Sequence, residues 1–275
     1  VWLAAGWIAV VLLAALLADV LPFPDALASD QVAGRSAPPS TGHWLGTDEL
    51  GRDILARLAK GAQVSMTVGL VSVAVGMTIG GLVGMVAGYA RGLVDRLLMA
   101  AVDVLLAFPA LVLVILLVSS LQGSGTSTYG EALRNVTSAI AVLTVAPFAR
   151  VTRAATISTA DRDFVTAARA MGASTRRILA THVLPNAARP LATYAPLVAA
   201  VVVVAEGSLA FLSLSVPRPH PSWGSMIDGA RPELLAGRSW SIAVPSVAML
   251  LTVLSLNLLS DRLRARVSDV REAML

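Results

Sequence analysis

The stretch from Val64 to Tyr89 contains no charged residue. It exceeds the roughly 18–20 apolar residues that a helix needs to cross the hydrocarbon of a bilayer. Comparable runs recur along the chain, so a soluble fold would have to bury several nearly uncharged helices at once. Only 14% of the residues are charged, where a soluble domain carries about a quarter. The expectation is an all-α integral membrane protein of about six transmembrane helices. The six apolar segments run from about Trp2 to Ala18, Val64 to Tyr89, Leu97 to Leu121, Leu133 to Ala149, Leu191 to Leu214 and Ile242 to Leu259. The third is interrupted by Asp103 and Pro109, and the fifth carries Glu206. A spanning chain must satisfy its backbone internally, and no segment alternates as a barrel strand does. The first segment has the length of a signal-peptide core, but no small-x-small cleavage site follows it, so it is read as a retained span.

The arginines organise what lies between the spans. Of 21 basic residues only Lys60 is a lysine, a bias that suits a GC-rich bacterial genome. Seven arginines fall between residues 149 and 189. Inserting them into hydrocarbon would cost about 17 kcal/mol or more, at roughly 2.5–3.5 kcal/mol each. That segment therefore stays in water. Placing it inside puts thirteen of the basic residues on the inner face, and the positive-inside rule then sets both termini in the cytoplasm of a bacterial plasma membrane. Two long outer segments follow. Pro22 to Gly42 reads as an irregular loop, and Val216 to Arg238 as an ordered cap without regular structure.

Within the aqueous segment the sequence is FVTAARAMGASTRRILATHVLPN. Phe164, Ala167, Ala168 and Met171 fall at helical spacing and predict a small, exposed apolar face. Gly172 ends or bends that helix. A second short helix is expected over about Thr175 to Val183, presenting Ile178, Leu179 and His182 and stopped by Pro185. Two short helices joined by a glycine suit a knob that enters a groove. The arginines also suit an amphipathic segment lying on lipid. The alanines favour a protein partner, because they permit close approach and bury little area.

Gly76, Gly80, Gly84 and Gly88 recur every four residues in the second span. They form a smooth helical stripe that lets a neighbouring helix come close. Asp103 and Glu206 are candidate pathway residues, since an acid within a span should face protein or a water-filled route. Helix-packing hydrogen bonds are the competing reading, favoured for Asp103 because Arg96 is near. His43, His182 and His220 are far apart in sequence and show no metal-ligand spacing. Without a cysteine, disulfides and thiolate metal sites are excluded. No Gly-Lys pair occurs, hence no Walker A loop, and no GxSxG elbow. No catalytic residue is expected in this chain, no metal, and no nucleic-acid partner.

TAARAMG, nine residues, then HVLP resembles the EAA loop of ABC-importer permeases. Ala167, Ala168, Gly172, Leu184 and Pro185 match that pattern, His182 takes a position usually held by isoleucine, and Thr166 replaces the usual glutamate. HWLGTDELGRDILARLAKGAQVSM (43–66), DRLLMAAVDVLLAFPALVL (95–113) and AEGSLAFLSLSV with PSWGSMI (205–227) resemble the dipeptide and oligopeptide branch, of the DppC/OppC type. The resemblance implies a type I importer permease bundle. It would work with a second, DppB/OppB-like permease, two cytoplasmic ATPase domains that carry ATP and Mg, an extracytoplasmic binding protein, and membrane lipid. Phe164, Thr166, Ala167, Ala168, Met171, Gly172, His182, Leu184 and Pro185 would then couple to an ATPase. With Thr166 a neutral hydrogen-bonder, coupling would lean on Arg162, Arg169, Arg176 or on shape. The implied layout is 1–62 for the first helix and an extracytoplasmic segment, 63–262 for the permease domain with its coupling loop at about 159–186, and 263–275 for a cytoplasmic tail. Nickel, haem or other peptide-like cargo also fits the family. An ion-coupled carrier using Glu206, or a scaffold that docks a partner, are readings from outside it.

Overall fold

The computed structural model describes residues 2–30, 32–122 and 127–272, with side chains through residue 266. Among these residues eleven α-helices follow one another: α1 (Trp2–Leu17), α2 (Ile54–Ala90), α3 (Gly92–Ala107), α4 (Ala110–Gln122), α5 (Tyr129–Ala160), α6 (Asp163–Ala170), α7 (Thr175–Ile178), α8 (Leu184–Phe211), α9 (Trp223–Gly229), α10 (Arg231–Leu235) and α11 (Trp240–Glu272). A π-helical turn, Leu179–Val183, joins α7 to α8. Among the described residues there is no strand, only an isolated bridge between Thr47 and Asp53. Four helical stretches are long and apolar enough to cross a membrane, and α3 with α4 forms a fifth if that bent pair is one span. With 16 residues, α1 is shorter.

The third segment is not the single helix expected of it. α3 and α4 meet at 93°, because Pro109 lacks an N–H and its ring disfavours a helical Phe108. Phe108 accordingly takes an extended conformation, φ −82° and ψ 139°. The segment 216–238 also departs from expectation, since it contains α9 and α10. Ser222 caps α9 by accepting from Ser225 N, while the Ser225 hydroxyl accepts from Ser222 N, a reciprocal pairing that stabilises even a short helix.

The chain divides into two compact units, each assembled from separate stretches. The first comprises Val1–Leu70, Ile115–Ile140 and Ala199–Leu259. Its core gathers Val11 and Ala15 of α1, Ile54, Ala62 and Met66 of α2, Val203 of α8, Trp223 and Met226 of α9, and Ala248 of α11. Trp223 is buried, and its indole N–H donates to the Leu58 carbonyl at 3.0 Å. Gly61 makes room for it, because a Cβ there would lie 3.1 Å from the indole Cδ1. The irregular loop 22–42 is tied down by Arg57, which donates to the Ala26 carbonyl at 3.0 Å and the Pro219 carbonyl at 3.3 Å and pairs with Asp48 at 3.2 Å.

His43 anchors the same loop to the start of α2. Its Nδ1 lies 2.7 Å from Asp53 and its Nε2 lies 3.2 Å from Asp30, while Asp53 also accepts from the Ala56 N–H at 2.7 Å. The Asp53 carboxylate holds the imidazole pKa above its ordinary value; burial opposes this and Asp30 adds to it. A raised folded pKa means the stabilisation is complete below the ordinary histidine value and is lost as pH rises through the raised one. Protease nicking between residues 23 and 53 should therefore accelerate as pH rises from the ordinary histidine range into the alkaline range. H43Q should abolish that pH dependence, and a wild-type nicking rate flat across the range would refute the assignment.

The second unit comprises Val71–Val114, Ala141–Val198 and Ser260–Leu275. Here the glycine stripe of α2 lies directly on α5. A Cβ built on Gly76 would fall 1.9 Å from Thr144 Oγ1, on Gly80 2.3 Å from the Val145 carbonyl oxygen, on Gly84 2.2 Å from that of Ala149, and on Gly88 2.8 Å from that of Arg153. From Gly80 to Gly88 the contact advances along α5 by about one turn per glycine. Two ion pairs join α3 to α5 in this unit: Asp95 with Arg153 at 2.5 and 2.6 Å, and Asp103 with Arg150 at 2.7 Å.

Candidate functional site

The segment between α5 and α8 is built on its own small core. Val165 and Ala168 of α6 and Ile178 of α7 are buried with Val183 of the π turn, against Met85 and Tyr89 of α2 and against Ala173 and Leu179. Val165 and Ala168 are three residues apart and so share one helical face. That face points toward the chain, and Phe164, Ala167 and Met171 are left on the outside. Phe164 is 40% exposed and Met171 81%. Ala168 and Ile178 therefore do not belong to the exposed surface on which their spacing had placed them. Helical periodicity defines a face but not which neighbour covers it. The spacing of Val165 and Ala168 was legible as a signal for this core, while Met85 and Tyr89 are too distant in sequence to be inferred.

α6 ends at Met171, whose N–H returns to the Ala167 carbonyl, and Gly172 then adopts φ +81°. This is the left-handed region that costs a side chain about 1–2 kcal/mol and glycine almost nothing. Ser174 reopens helical geometry by capping α7, accepting from the Arg177 N–H at 3.4 Å. Pro185 does not stop the second helix. It sits near the start of α8, and the path from Thr175 to Phe211 is continuously helical. The wider π turn at 179–183 absorbs the backbone bond that Pro185 cannot donate. Leu184 is half exposed at 50%, and His182 lies against Phe164, with ring centroids 5.7 Å apart. Thr166 is exposed, and its hydroxyl has no hydrogen-bond partner among the described residues.

The other candidates lie elsewhere. Asp103 is exposed and pairs with Arg150. Glu206 is buried at 1% exposure, accepting from the Ser65 hydroxyl at 2.9 Å and the Ser215 hydroxyl at 2.8 Å. The two serines link α2 and the chain after α8 to one carboxyl. E206A should leave both hydroxyls unsatisfied and open a cavity, at a cost of about 2–4 kcal/mol. Thermal unfolding in detergent reads this, and E206Q should retain most of the stability. Equal stability of all three proteins would remove the packing role. No group of three or more His, Cys, Asp or Glu suited to a metal exists among the described residues.

Similarity to known proteins extends over most of the chain. The family described as "Binding-protein-dependent transport system inner membrane component" matches residues 80–269. The glutathione transport system permease protein GsiD of Pectobacterium atrosepticum is 39% identical over 226 residues, 82% of this chain and 72% of that protein. The di/tripeptide transport system permease protein DppC of Pseudomonas aeruginosa is 39% identical over 80% of this chain and 70% of its own length. The dipeptide transport system permease protein DppC of Alkalihalophilus pseudofirmus is 34% identical over 84% and 73%. Among solved structures, inward-facing MetNI methionine ABC transporter chains superpose with a TM-score of 0.60 at 20% identity, over 76% of this chain and 95% of theirs. That likeness concerns the fold.

Proposed function

This chain belongs to the family of binding-protein-dependent transport system inner membrane components, and from that premise we propose that it forms half of the translocation pathway of an ATP-driven importer of di- and oligopeptides. Membership makes it a non-catalytic permease component of the inner membrane. In the proposed assembly a second permease completes the pathway and a binding protein delivers cargo from outside. Two cytoplasmic ATPase domains bind ATP and Mg and receive the segment at about 159–186. Peptide cargo is supported by relatives named for dipeptide, tripeptide and glutathione transport.

The observation that carries the coupling role is the 163–186 segment itself. A buried core holds α6 rigidly, so the exposed Phe164, Ala167 and Met171 form a preset surface rather than a flexible loop. A small, rigid apolar knob transmits displacement to a partner groove without first paying for its own ordering. Glu206 favours this reading over ion-coupled transport, because its carboxyl is enclosed by serine hydroxyls. Reconstitution with the ATPases, the second permease and the binding protein should give ATP-dependent peptide uptake. Uptake by this chain alone, driven by an ion gradient without ATP, would overturn the proposal.

The orientation that places 159–186 in the cytoplasm has a direct test, since the chain has no cysteine of its own. Ser222 is buried, so the exposed Ala236 is the better reporter of the outer side. In intact cells A236C should react with a membrane-impermeant maleimide and T175C should not. The reverse pattern would invert the topology.

A further inference from the structure

Lys60, Gln63, Val64 and Thr67 recur at the spacing that places residues on one face of a helix. In the first unit that face of α2 forms one wall of a cavity of about 620 Å³, a volume within the roughly 300–1,000 Å³ of sites for small organic ligands. Tyr129 of α5, His220, Asp19 and Asp25 contribute to the rest of the lining. The chain has a single lysine, and it stands here. Lys60 pairs with Asp19, which also accepts from Gln63 Nε2 at 3.0 Å. Asp25 accepts from the Leu27 N–H through Oδ1 at 2.9 Å, and its Oδ2 has no hydrogen-bond partner among the described residues. The Tyr129 and His220 rings lie against each other with centroids 4.3 Å apart. Among the described residues neither the tyrosine hydroxyl nor the histidine ring nitrogens have a hydrogen-bond partner.

Resting on the peptide-permease reading, we infer that this cavity recognises the two charged ends of a short peptide, so that the permease itself selects zwitterionic cargo. Two carboxylates against one ammonium leave the lining net negative, which disfavours a simple anion and matches a ligand that carries both signs. The Lys60–Asp19 pair supplies both halves of the recognition. A peptide carboxylate takes Lys60 while the peptide ammonium takes Asp19 and Asp25, so the pair opens without leaving a charge bare. The Lys60 and Asp19 side chains are 32% and 61% exposed, and an exposed pair costs little to separate. Lysine suits this exchange, because its ammonium is a point charge on a flexible stem, where an arginine fork would hold one geometry. The Tyr129 and His220 rings offer apolar faces to side chains, and the tyrosine hydroxyl can donate to a peptide carbonyl. A zwitterionic phospholipid headgroup carries the same two charges, and the experiment separates the two sources.

The assembled transporter carrying T67C is placed in nanodiscs without binding protein, and maleimide labelling of this chain, which has no cysteine of its own, is followed. T67C should label, and dialanine should slow the labelling while N-acetyldialanine amide, of similar size and without charge, should not. K60Q and D25N should each raise the dialanine concentration for half-protection about fivefold, and K60R should restore it. The asparagine keeps an acceptor for the Leu27 N–H, so D25N removes charge and not the turn. No labelling of T67C, equal protection by the two compounds, protection by neither, or unaltered protection in either charge variant overturns the inference. Protection by phosphatidylethanolamine over phosphatidylglycerol nanodiscs, with no effect of dialanine, also overturns it and assigns the cavity to lipid. Uptake separates this site from the underlying reading. If the transporter completed with its binding protein takes up dialanine on ATP while T67C is never protected, the peptide-permease reading stands and only the site falls. If uptake fails as well, the reading falls with it.

Discussion

Substituting leucine for Gly84 should leave no folded permease to purify. An added Cβ would lie 2.2 Å from the Ala149 carbonyl oxygen, 2.8 Å from the Arg153 nitrogen and 2.8 Å from Thr152 Cβ. Two of these are backbone atoms of α5, which cannot rotate away as a side-chain tip does. Overpacking a core ordinarily costs about 1–3 kcal/mol, and separating two helices along a shared stripe costs more. The Gly80 and Gly88 contacts, at 2.3 and 2.8 Å from α5 carbonyl oxygens, would be strained by the same separation. Against a total stability of roughly 5–15 kcal/mol, a loss above about 3 kcal/mol should collapse yield. Gly81 supplies the control, because a Cβ there meets the tip of Leu191, at 3.3 Å. G81A should elute as a single peak in detergent where G84L aggregates. Normal behaviour of G84L would mean that α2 and α5 are not packed this closely.

The second large effect concerns coupling. G172V should cut peptide uptake about tenfold or more, while the ATPases remain assembled but no longer respond to loaded binding protein. Gly172 holds φ +81°, and a Cβ added there would meet nothing within 4 Å, so the penalty lies in the backbone and not in a clash. A β-branched residue disfavours this region strongly, whereas asparagine tolerates it. G172N should therefore keep most of the activity. That contrast separates a lost turn from lost space, and equal activity of the two variants would sink the argument. The exposed face calls for a different probe from the buried one. A167R should block docking with little change in thermal unfolding, since Ala167 is exposed. A168R would force a guanidinium into the cluster of Val165, Ile178 and Val183 and unfold the segment itself.

The membrane-spanning, all-helical character of the chain was legible because it follows from local arithmetic. Apolar runs longer than a bilayer is thick, with few charges, leave a helix as the only backbone solution. The expectation that 149–189 stays in water rests on arginine cost, and α5 carries Arg150 and Arg153 onward as helix to Ala160. Pro109 was visible as an interruption, yet the 93° bend was not, because a proline permits a range of kinks and the surrounding packing selects one. Pro185 misled for a similar reason. A proline ends a helix only if no wider turn absorbs its missing donor, and Leu179–Val183 provides that turn.

The relevant division is between properties of a segment and properties of a pair of segments. Hydropathy and glycine spacing belong to single stretches, so they declared the class of protein and a smooth stripe on α2. Which surface covers which is a long-range matter. It was settled only when α6 laid Val165 and Ala168 on Met85 and Tyr89, leaving Phe164, Ala167 and Met171 outside. The same packing drew Arg169 toward Tyr89 and left Arg176 and Arg177 exposed. Helical periodicity repeats every 3.6 residues whatever lies opposite; burial depends on residues about 80 positions away in the chain, and only the folded contact makes one face an anchor and leaves the other exposed.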